Sequence, residues 1–378
     1  MSLSRRKFAQ LLGAGAAAAI TRPALTLGKA APAEAPSASV KAGLVRLSSN
    51  ENPYGPSPQA IKAMSNAFDL ACRYPDENTD ALVEALAQLN DVERTEILLG
   101  DGSGEILKLC ADVFTGPLAA DKAAGGTLVV ADPTFEAILY HAKENGAEIV
   151  KVPLTAEFGH DLPRMAGATK KGLVYICNPN NPTASITPRK EVREFIAQVP
   201  NDTMVLVDEA YYHYADSPEY ESVIPLVKGH PNLIVARTFS KIYGMAGLRC
   251  GYCVAQSYTI ERLRARQSWD SANIMALVAA RASLADPEQV AKGRRRNAEA
   301  RAFTTDALEK MGYKSIPSQA NFIMIDVKRP VVPLIASLKQ HKVQVGRLFR
   351  PMPNHLRLTI GKKSEMEAFL DAFREVMA

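Results

Sequence analysis

The sequence predicts an α/β fold, with a large, doubly wound and mainly parallel sheet domain and a smaller α+β domain. Three apolar, β-branched runs, at residues 172–177, 204–207 and 233–236, each end in polar residues. Such runs are typical of strands buried on both faces of a parallel sheet. A further run at 127–131 and helix-like stretches such as 188–199 complete the pattern. Alternating strands and helices of this kind indicate a doubly wound sheet.

The C-terminal third follows a different pattern, which predicts the smaller domain. A charged helical stretch, two strands and a closing amphipathic helix are expected at residues 271–310, 320–325, 343–345 and 364–376. We therefore expect a large domain over 71–270 and a small domain over 271–378. Residues 45–70 are expected to form an N-terminal arm and part of the small domain.

Composition excludes several classes of protein. The chain has 378 residues, of which 47% are hydrophobic and 22% charged, so it can form two or three folded domains. Its net charge of +5 comes from five basic residues within positions 1–30, where there are no acidic ones. The rest of the chain is neutral, and nucleic-acid binding has no electrostatic support.

The first 30 residues look like a twin-arginine export signal. Arg5 and Arg6 precede an apolar run at 9–20, and a small-x-small cleavage site follows at 28–30. That run is too short to span a membrane as a helix. We expect a signal peptide over 1–30, a linker over 31–44, and a mature protein in the periplasm or another extracytoplasmic space. The alternative is an unstructured extension with a chance arginine pair.

No metal site is expected. The chain has five cysteines, and no histidine accompanies them at the spacing of metal ligands. Cys250 and Cys253 lie three residues apart on an expected strand, where they face opposite sides and cannot form a disulfide. We expect all five thiols to be buried as small apolar groups.

Reactive side chains cluster where the expected strands end. Asp208 follows one strand, the amide-rich loop 178–183 follows another, and Lys241 follows a third. Residues 102–105 open an expected helix at 106–114, whose first N–H groups suit a phosphate. Ligands of such sheets bind at the carboxyl ends of the strands. The sequence thus predicts one pocket with an amine, a carboxylate and a phosphate receptor.

Nine motifs in this order resemble the class I/II pyridoxal-phosphate-dependent aminotransferases of fold type I, and most closely the histidinol-phosphate aminotransferase subgroup. The motifs span residues 50–56, 73–76, 101–106, 132–135, 178–183, 207–211, 238–249, 320–322 and 356–361. The resemblance covers about residues 45–378. It implies fold type I, pyridoxal 5'-phosphate as cofactor, and an amino acid and a 2-oxo acid as substrates.

The resemblance also implies roles for the residues around the cofactor ring. Lys241 would bind the cofactor as a Schiff base and carry protons, which requires an amine of lowered pKa. Asp208 would pair with the pyridine nitrogen. Asn181 and Tyr211 would hydrogen-bond the phenolic oxygen, and Phe135 would stack on the ring. Lys241, Asp208 and Tyr211 are the predicted catalytic residues.

The resemblance implies that the cofactor phosphate is bound by an arginine, two hydroxyls, the start of a helix and a residue of a neighbouring subunit. The residues implied are Ser103, Gly104, Thr238, Ser240, Arg249 and, from the partner subunit of a homodimer, a tyrosine that matches Tyr74. Arg357 would bind the α-carboxylate of the substrate. Asn181, Tyr54 and Arg347 are the other expected substrate contacts.

Two departures from the family pattern bear on substrate choice. Ala184 stands where the loop normally has glycine, so a positive φ there would be costly. Arg347 is offset by about one position from the arginine that meets the distal phosphate in the subgroup, and Arg350 competes with it. Three functions therefore stay open: an exported aminotransferase, a decarboxylase or β-lyase on the same fold, and a cofactor-binding protein without catalysis.

Overall fold

Twelve strands and eleven α-helices form the described part of the chain, which comprises residues 43–116, 126–169 and 171–378 of the computed structural model. The strands are β1 (Val45–Leu47), β2 (Ile97–Gly100), β3 (Thr127–Asp132), β4 (Glu148–Pro153), β5 (Gly172–Cys177), β6 (Thr203–Asp208), β7 (Leu233–Thr238), β8 (Gly251–Ala255), β9 (Lys314–Ser315), β10 (Phe322–Asp326), β11 (Val343–Val345) and β12 (His355–Thr359). The helices are α1 (Pro58–Ser65), α2 (Asp76–Asn90), α3 (Gly102–Phe114), α4 (Ala137–Glu144), α5 (Leu162–Ala168), α6 (Arg189–Gln198), α7 (Ser257–Arg264), α8 (Ile274–Leu284), α9 (Pro287–Lys310), α10 (Val331–Gln340) and α11 (Lys363–Met377). The predicted export signal at 1–30 lies outside the described residues.

The central sheet has seven strands in the order β2-β8-β7-β6-β5-β3-β4. The sheet is parallel except for β8, which runs antiparallel to both of its neighbours. The three apolar runs of the sequence form β5, β6 and β7, and every residue of these strands is buried. The predicted α/β fold, with a mainly parallel sheet, is confirmed.

Helices cover both faces of this sheet because alternate strand residues point to opposite sides. On one face Val174 and Val205 belong to a core that includes Leu82 of α2 and Phe195 of α6. On the other face Leu173, Tyr175 and Leu206 share a core with α3 and α4. The sheet is therefore shielded from water on both sides, and its strand ends are where ligands can enter.

The C-terminal part contains two smaller sheets. Strands β12, β10 and β9 form an antiparallel sheet, and β1 pairs in parallel with β11. Their apolar side chains form a separate core with α9, α10 and α11. The strands and closing helix predicted from sequence all occur here, with ends shifted by one or two residues. Residues Gly43–Ala378 form one compact unit, and the boundary near residue 270 stays a prediction.

One expectation about the cysteines was wrong. Cys110, Cys177, Cys250 and Cys253 are buried thiols, but Cys72 is exposed. It ends the short 3-10 helix Phe68–Cys72, none of whose residues is buried. None of the described helices is long and apolar enough to cross a membrane.

A buried ion pair joins the ends of β6 and β7. The Arg237 guanidinium donates to the Glu209 carboxylate through Nε at 3.0 Å and Nη2 at 2.9 Å. Both side chains are almost fully buried, and the guanidinium also lies 3.6 Å from the Tyr212 ring centroid. Glu209 follows Asp208 directly, and Arg237 lies four residues before Lys241. The pair therefore ties together the two strand ends that carry the amine and the carboxylate.

Removing one member of this pair should destabilise the protein strongly. Glu209→Gln leaves the Arg237 charge buried without its counter-ion, and the expected loss is about 3–5 kcal/mol in the free energy of unfolding. Arg193→Gln, which breaks the more exposed Arg193–Glu221 pair, is the matched control and should cost less than about 1 kcal/mol. Chemical denaturation measures both. Equal losses in the two variants would contradict this account of the buried pair.

Candidate active site

A cavity of about 220 Å³ lies at the carboxyl ends of β5, β6 and β7. It is lined by Ser49, Asn50, Ser103, Gly104, Phe135, Cys177, Asn181, Asp208, Ala210, Tyr211, Thr238, Ser240, Lys241, Arg249 and Arg357. The register of the parallel strands explains the convergence, because Cys177, Asp208 and Ala236 lie beside one another across three strands. The fold thus brings most of the predicted site residues into one pocket.

Lys241 presents a desolvated amine to this cavity. Its Nζ donates a hydrogen bond of 3.3 Å to the carbonyl oxygen of Asn50. Burial, together with the nearby Arg357 charge, lowers the pKa of Lys241 to about 8, although the Asp208 carboxylate opposes the shift. A lysine of this pKa is partly neutral near pH 8 and can act as a nucleophile and a base.

Asp208 is held by two donors at the end of β6. Its Oδ2 accepts the Tyr175 hydroxyl at 2.9 Å and its Oδ1 accepts the N–H of Ala210 at 3.1 Å. Burial raises the pKa of Asp208 to about 6, and the Tyr175 hydrogen bond is the largest influence in the other direction. At neutral pH the side chain is mainly a carboxylate, suited to hold a protonated ring nitrogen.

Tyr211, Asn181 and Arg357 form a hydrogen-bonded chain along the cavity wall. Arg357 Nη1 donates to Asn181 Oδ1 at 2.8 Å, and Asn181 Nδ2 lies 3.4 Å from the Tyr211 hydroxyl oxygen. Asn50 Nδ2 donates to the same oxygen at 3.0 Å. Burial raises the pKa of Tyr211 well above its usual value, so the phenol keeps its proton. It can therefore donate a hydrogen bond to a ligand.

The groups around Arg249 in the cavity lining form an anion receptor. Arg249 Nη2 donates to the carbonyl of Asp101 at 3.2 Å, and Nη1 lies 3.4 Å from the Ser240 hydroxyl. The Thr238 hydroxyl lies 3.0 Å from that of Ser240. Gly102 has a φ of +72°, and a β-carbon there would collide with the Arg249 guanidinium. Glycine is thus required to bring the first turn of α3 against the arginine.

The donor groups of this receptor fit a phosphate dianion. Ser103 and Gly104 lie in the first turn of α3, where backbone N–H groups have no partner inside the helix. Two hydroxyls and a guanidinium add donors of the kind that phosphate prefers. The described residues thus supply a phosphate receptor, an amine and a ring-nitrogen partner in one pocket.

Arg357 lies on β12 and lines the same cavity. Its Nη2 donates to the carbonyl of Ser48 at 2.7 Å, and its Nε is buried without a hydrogen-bond partner among the described residues. Burial lowers the pKa of Arg357, with Tyr211 opposing this shift. A half-buried guanidinium with an unused donor is a receptor for a carboxylate.

Three predicted site residues do not line this cavity. Tyr54 is 40% exposed and packs against the Arg296 guanidinium, 4.4 Å from its ring centroid. Tyr74 is 81% exposed. Arg347 forms an ion pair with Glu136, the neighbour of Phe135. These side chains lie on loops, whose direction strand periodicity does not predict.

The loop with Ala184 keeps the positive φ that its family pattern requires. Ala184 is fully buried with a φ of +61°. Its N–H donates to the Asn180 carbonyl at 2.8 Å, and its own carbonyl accepts the N–H of Gln319 at 2.8 Å. These buried bonds hold an alanine in a conformation that costs about 1–2 kcal/mol.

Comparison with known proteins agrees with this geometry. Residues 42–373 match the model of the family described as aminotransferase class I and II. The chain belongs to this aminotransferase family. It is 40% identical over 340 residues to a histidinol-phosphate aminotransferase of Moorella thermoacetica, covering 89% of this chain and 86% of that protein.

Solved structures of similar proteins extend the comparison. A putative histidinol-phosphate aminotransferase of Erwinia carotovora atroseptica has a TM-score of 0.84 at 31% identity, over 88% of this chain and 95% of that one. A histidinol-phosphate aminotransferase of Sinorhizobium meliloti, solved with pyridoxal-5'-phosphate, has a TM-score of 0.82 at 26% identity, over 88% and 91%. The protein is a pyridoxal-phosphate-dependent aminotransferase of fold type I.

The residues present fit this cofactor. Arg249, Ser240, Thr238 and the start of α3 would hold its phosphate, Asp208 its ring nitrogen, and Lys241 its aldehyde end. When bound, pyridoxal phosphate takes up the electron pair released at the substrate's Cα. Lys241 then moves the proton at Cα, for which its lowered pKa suits it.

Two contributing residues were missed in the sequence. Tyr175 lies within an apolar run that predicts a buried strand, and it is the only side chain of β5 with a hydroxyl. Asn50 lay within a family motif but was given no role of its own. For Tyr175 the signal is a hydroxyl within an apolar run, whereas Asn50 lies in the polar stretch 48–52, which gives no sign of its burial.

Lys241→Ala should abolish amino transfer. The variant lacks the amine that moves the Cα proton, and general-base catalysis contributes about 10²–10⁴-fold. We expect the visible absorbance of the cofactor joined covalently to Lys241 to disappear, while the phosphate receptor still binds the cofactor. Absorbance and turnover measure this, with Lys108→Ala, an exposed lysine, as control. Retained turnover would refute the assignment.

Tyr175→Phe should move the acid side of the activity profile to higher pH. The pKa of Asp208 is already raised to about 6, and losing the Tyr175 donor removes a contact that lowers it. The carboxylate is then protonated at a higher pH, by about half to one unit for one hydrogen bond. The pH dependence of kcat/KM measures the shift. An unchanged acid side would show that Tyr175 only fills space.

Proposed function

We propose that this aminotransferase takes its amino group from an L-α-amino acid, gives it to a 2-oxo acid, and works as a homodimer after export. The observation that carries the choice of substrate is Arg357. Its half-buried guanidinium lines the same cavity as the phosphate receptor, and its Nε is buried without a hydrogen-bond partner among the described residues. This position suits a carboxylate next to the carbon that carries the amino group.

The distal part of the substrate would meet Arg347 and Glu136. Arg347 and Arg357 share the Phe349 ring, with guanidinium carbons 4.4 and 5.1 Å from its centroid. Glu136 already pairs with Arg347, so a distal anion must compete with this carboxylate. A substrate with a distal phosphate, such as the one named for the relatives, therefore meets a partly neutralised receptor.

Titration of the loaded protein with amino donors tests the proposed reaction. L-glutamate, L-histidine, L-alanine and histidinol phosphate are added separately while the visible absorbance is recorded. We expect donors with an α-carboxylate to bleach it and a 2-oxo acid to restore it. A lasting spectral change without restoration would favour a decarboxylase or lyase. No change with any carboxylate donor would contradict the proposal.

Arg357→Ala should raise KM for every donor with an α-carboxylate. The lost charge-assisted hydrogen bonds correspond to about 1.5–3 kcal/mol, or about 10- to 150-fold in KM. Arg357→Lys should restore little, because a lysine cannot form a two-point contact. Steady-state kinetics on the same donor panel measures both variants. Unchanged KM values would remove Arg357 from the substrate site.

Two exposed aromatic residues support the homodimer. Tyr74, the match to a tyrosine that relatives supply from the partner subunit, is 81% exposed and outside its own cavity. Trp269 is 96% exposed beside an open groove of about 490 Å³. A large exposed tryptophan is unusual outside an interface. In our proposal both are covered when two copies associate.

Mixing two inactive variants tests whether the sites are shared. Tyr74→Asp places a carboxylate next to the cofactor phosphate of the other subunit, and Lys241→Ala removes the amine. Each should be inactive alone, while mixed dimers contain one intact site and regain activity. Absence of recovery in dimers shown to have exchanged subunits would contradict sharing.

Export rests on the sequence of the leader. Arg5 and Arg6 before an apolar run support passage through the twin-arginine machinery, a route for folded proteins with bound cofactors. Replacing both by lysine should retain the protein in the cytoplasm, as cell fractionation would show. Normal export of that variant would overturn the proposal.

A further inference from the structure

We propose that Asn50 is a positioning residue that fixes the direction in which Tyr211 donates its hydroxyl proton. The proposal rests on cofactor binding in the pocket described above, and it concerns a residue of the N-terminal arm that sequence motifs left without a role. Asn50 is 1% exposed and lines the cavity.

The direction follows from the hydrogen-bonding capacity of a phenol. A tyrosine hydroxyl has one proton to donate and two lone pairs that accept. At Tyr211 the oxygen accepts from Asn50 Nδ2 at 3.0 Å and from Asn181 Nδ2 at 3.4 Å. Both lone pairs are then engaged. Since no acceptor contacts this hydroxyl among residues 43–116, 126–169 and 171–378, its proton is left for a ligand in the cavity.

Neighbouring donors fix the orientation of both amides. Asn181 Oδ1 accepts from Arg357 Nη1 at 2.8 Å, and a guanidinium only donates, so Nδ2 of Asn181 must face Tyr211. The Thr359 hydroxyl accepts the N–H of Asn50 at 2.9 Å and donates to Asn50 Oδ1 at 3.2 Å. Asn50 therefore also presents Nδ2, a donor, to the phenol oxygen.

The backbone of Asn50 allows a matched variant. Its φ is +54°, a left-handed conformation that asparagine and glycine adopt readily. Its carbonyl accepts from Lys241 Nζ at 3.3 Å and from Asn321 Nδ2 at 3.0 Å. Asn50→Gly retains this backbone and both contacts, and it removes only the side-chain amide.

The expected effect is on the pH at which a proton leaves the nitrogen that joins Lys241 to the cofactor. Donation from Tyr211 to the phenolic oxygen of the cofactor takes up part of the negative charge that would otherwise hold a proton on the nitrogen joined to Lys241. That proton then leaves at a lower pH. Without Asn50 the Tyr211 hydroxyl can rotate, the donation weakens, and the proton leaves at a higher pH.

The test is a pH titration of the visible absorbance of the loaded protein, with no amino donor present. Asn50→Gly should raise the midpoint by about half to one pH unit, the size of one hydrogen bond. Tyr211→Phe should raise it at least as much. In the Tyr211→Phe background, Asn50→Gly should add nothing. Because no substrate is used, this result is independent of which donor the enzyme accepts.

The controls separate positioning from general loosening of the arm. Asn52 lies on the same arm and donates to the Ile242 carbonyl at 2.8 Å, so Asn52→Ala should leave the midpoint unchanged. Asn50→Asp, which has the same shape but an acceptor in place of the donor, should raise the midpoint more than glycine. This variant also decides the matter if Asn50→Gly loads poorly. An unchanged midpoint, or an equal shift with and without the Tyr211 hydroxyl, would overturn the proposal.

Discussion

The parallel pairing of β5, β6 and β7 is the constraint on which the site depends. In a parallel ladder all carboxyl ends meet one edge, so Cys177, Asp208 and Ala236 are neighbours in space although they are far apart in sequence. Asp208 lies at this edge as the last residue of β6, and Lys241 lies five residues after Ala236 of β7. The buried Arg237–Glu209 pair joins the ends of β6 and β7 at the same edge. Chemistry and stability are thus decided at one end of three strands.

Much of this arrangement could be predicted because it follows from strand periodicity and strand ends. The limits of β5 were predicted to the residue, and Lys241, Asp208 and Arg249 reach the same cavity. The antiparallel direction of β8 was not predicted, since an apolar run has no direction. The positions of Tyr54 and Arg347 outside this cavity do not follow from the sequence, because they depend on contacts with Arg296 and Glu136 from distant segments. Tyr175 lies in an apolar run that predicts a core residue, whereas the structure shows its hydroxyl donating to Asp208.

Hydrogen bonds along the cavity wall connect the proposed carboxylate site at Arg357 with the Lys241 amine. Arg357, where the substrate carboxylate is proposed to bind, contacts Asn181, and Asn181 contacts Tyr211. Asn50 donates to Tyr211 through its side-chain amide, and its carbonyl accepts a hydrogen bond from Lys241. Binding at the carboxylate end can thus change the hydrogen bonding around the amine, because Asn181, Tyr211 and Asn50 connect Arg357 to Lys241. Desolvation strengthens each of these contacts.

The arm also determines when the site is complete. Asn50 lies near the start of the described chain, and its N–H bonds to Thr359, 309 residues later. Such a distant contact forms only after the intervening segments have folded. A chain still emerging from the ribosome without β12 has Lys241 and Asp208 but lacks the arm's anchor and Arg357. A site with both the anchored arm and Arg357 in place is therefore a property of finished molecules, and it distinguishes them from truncated ones.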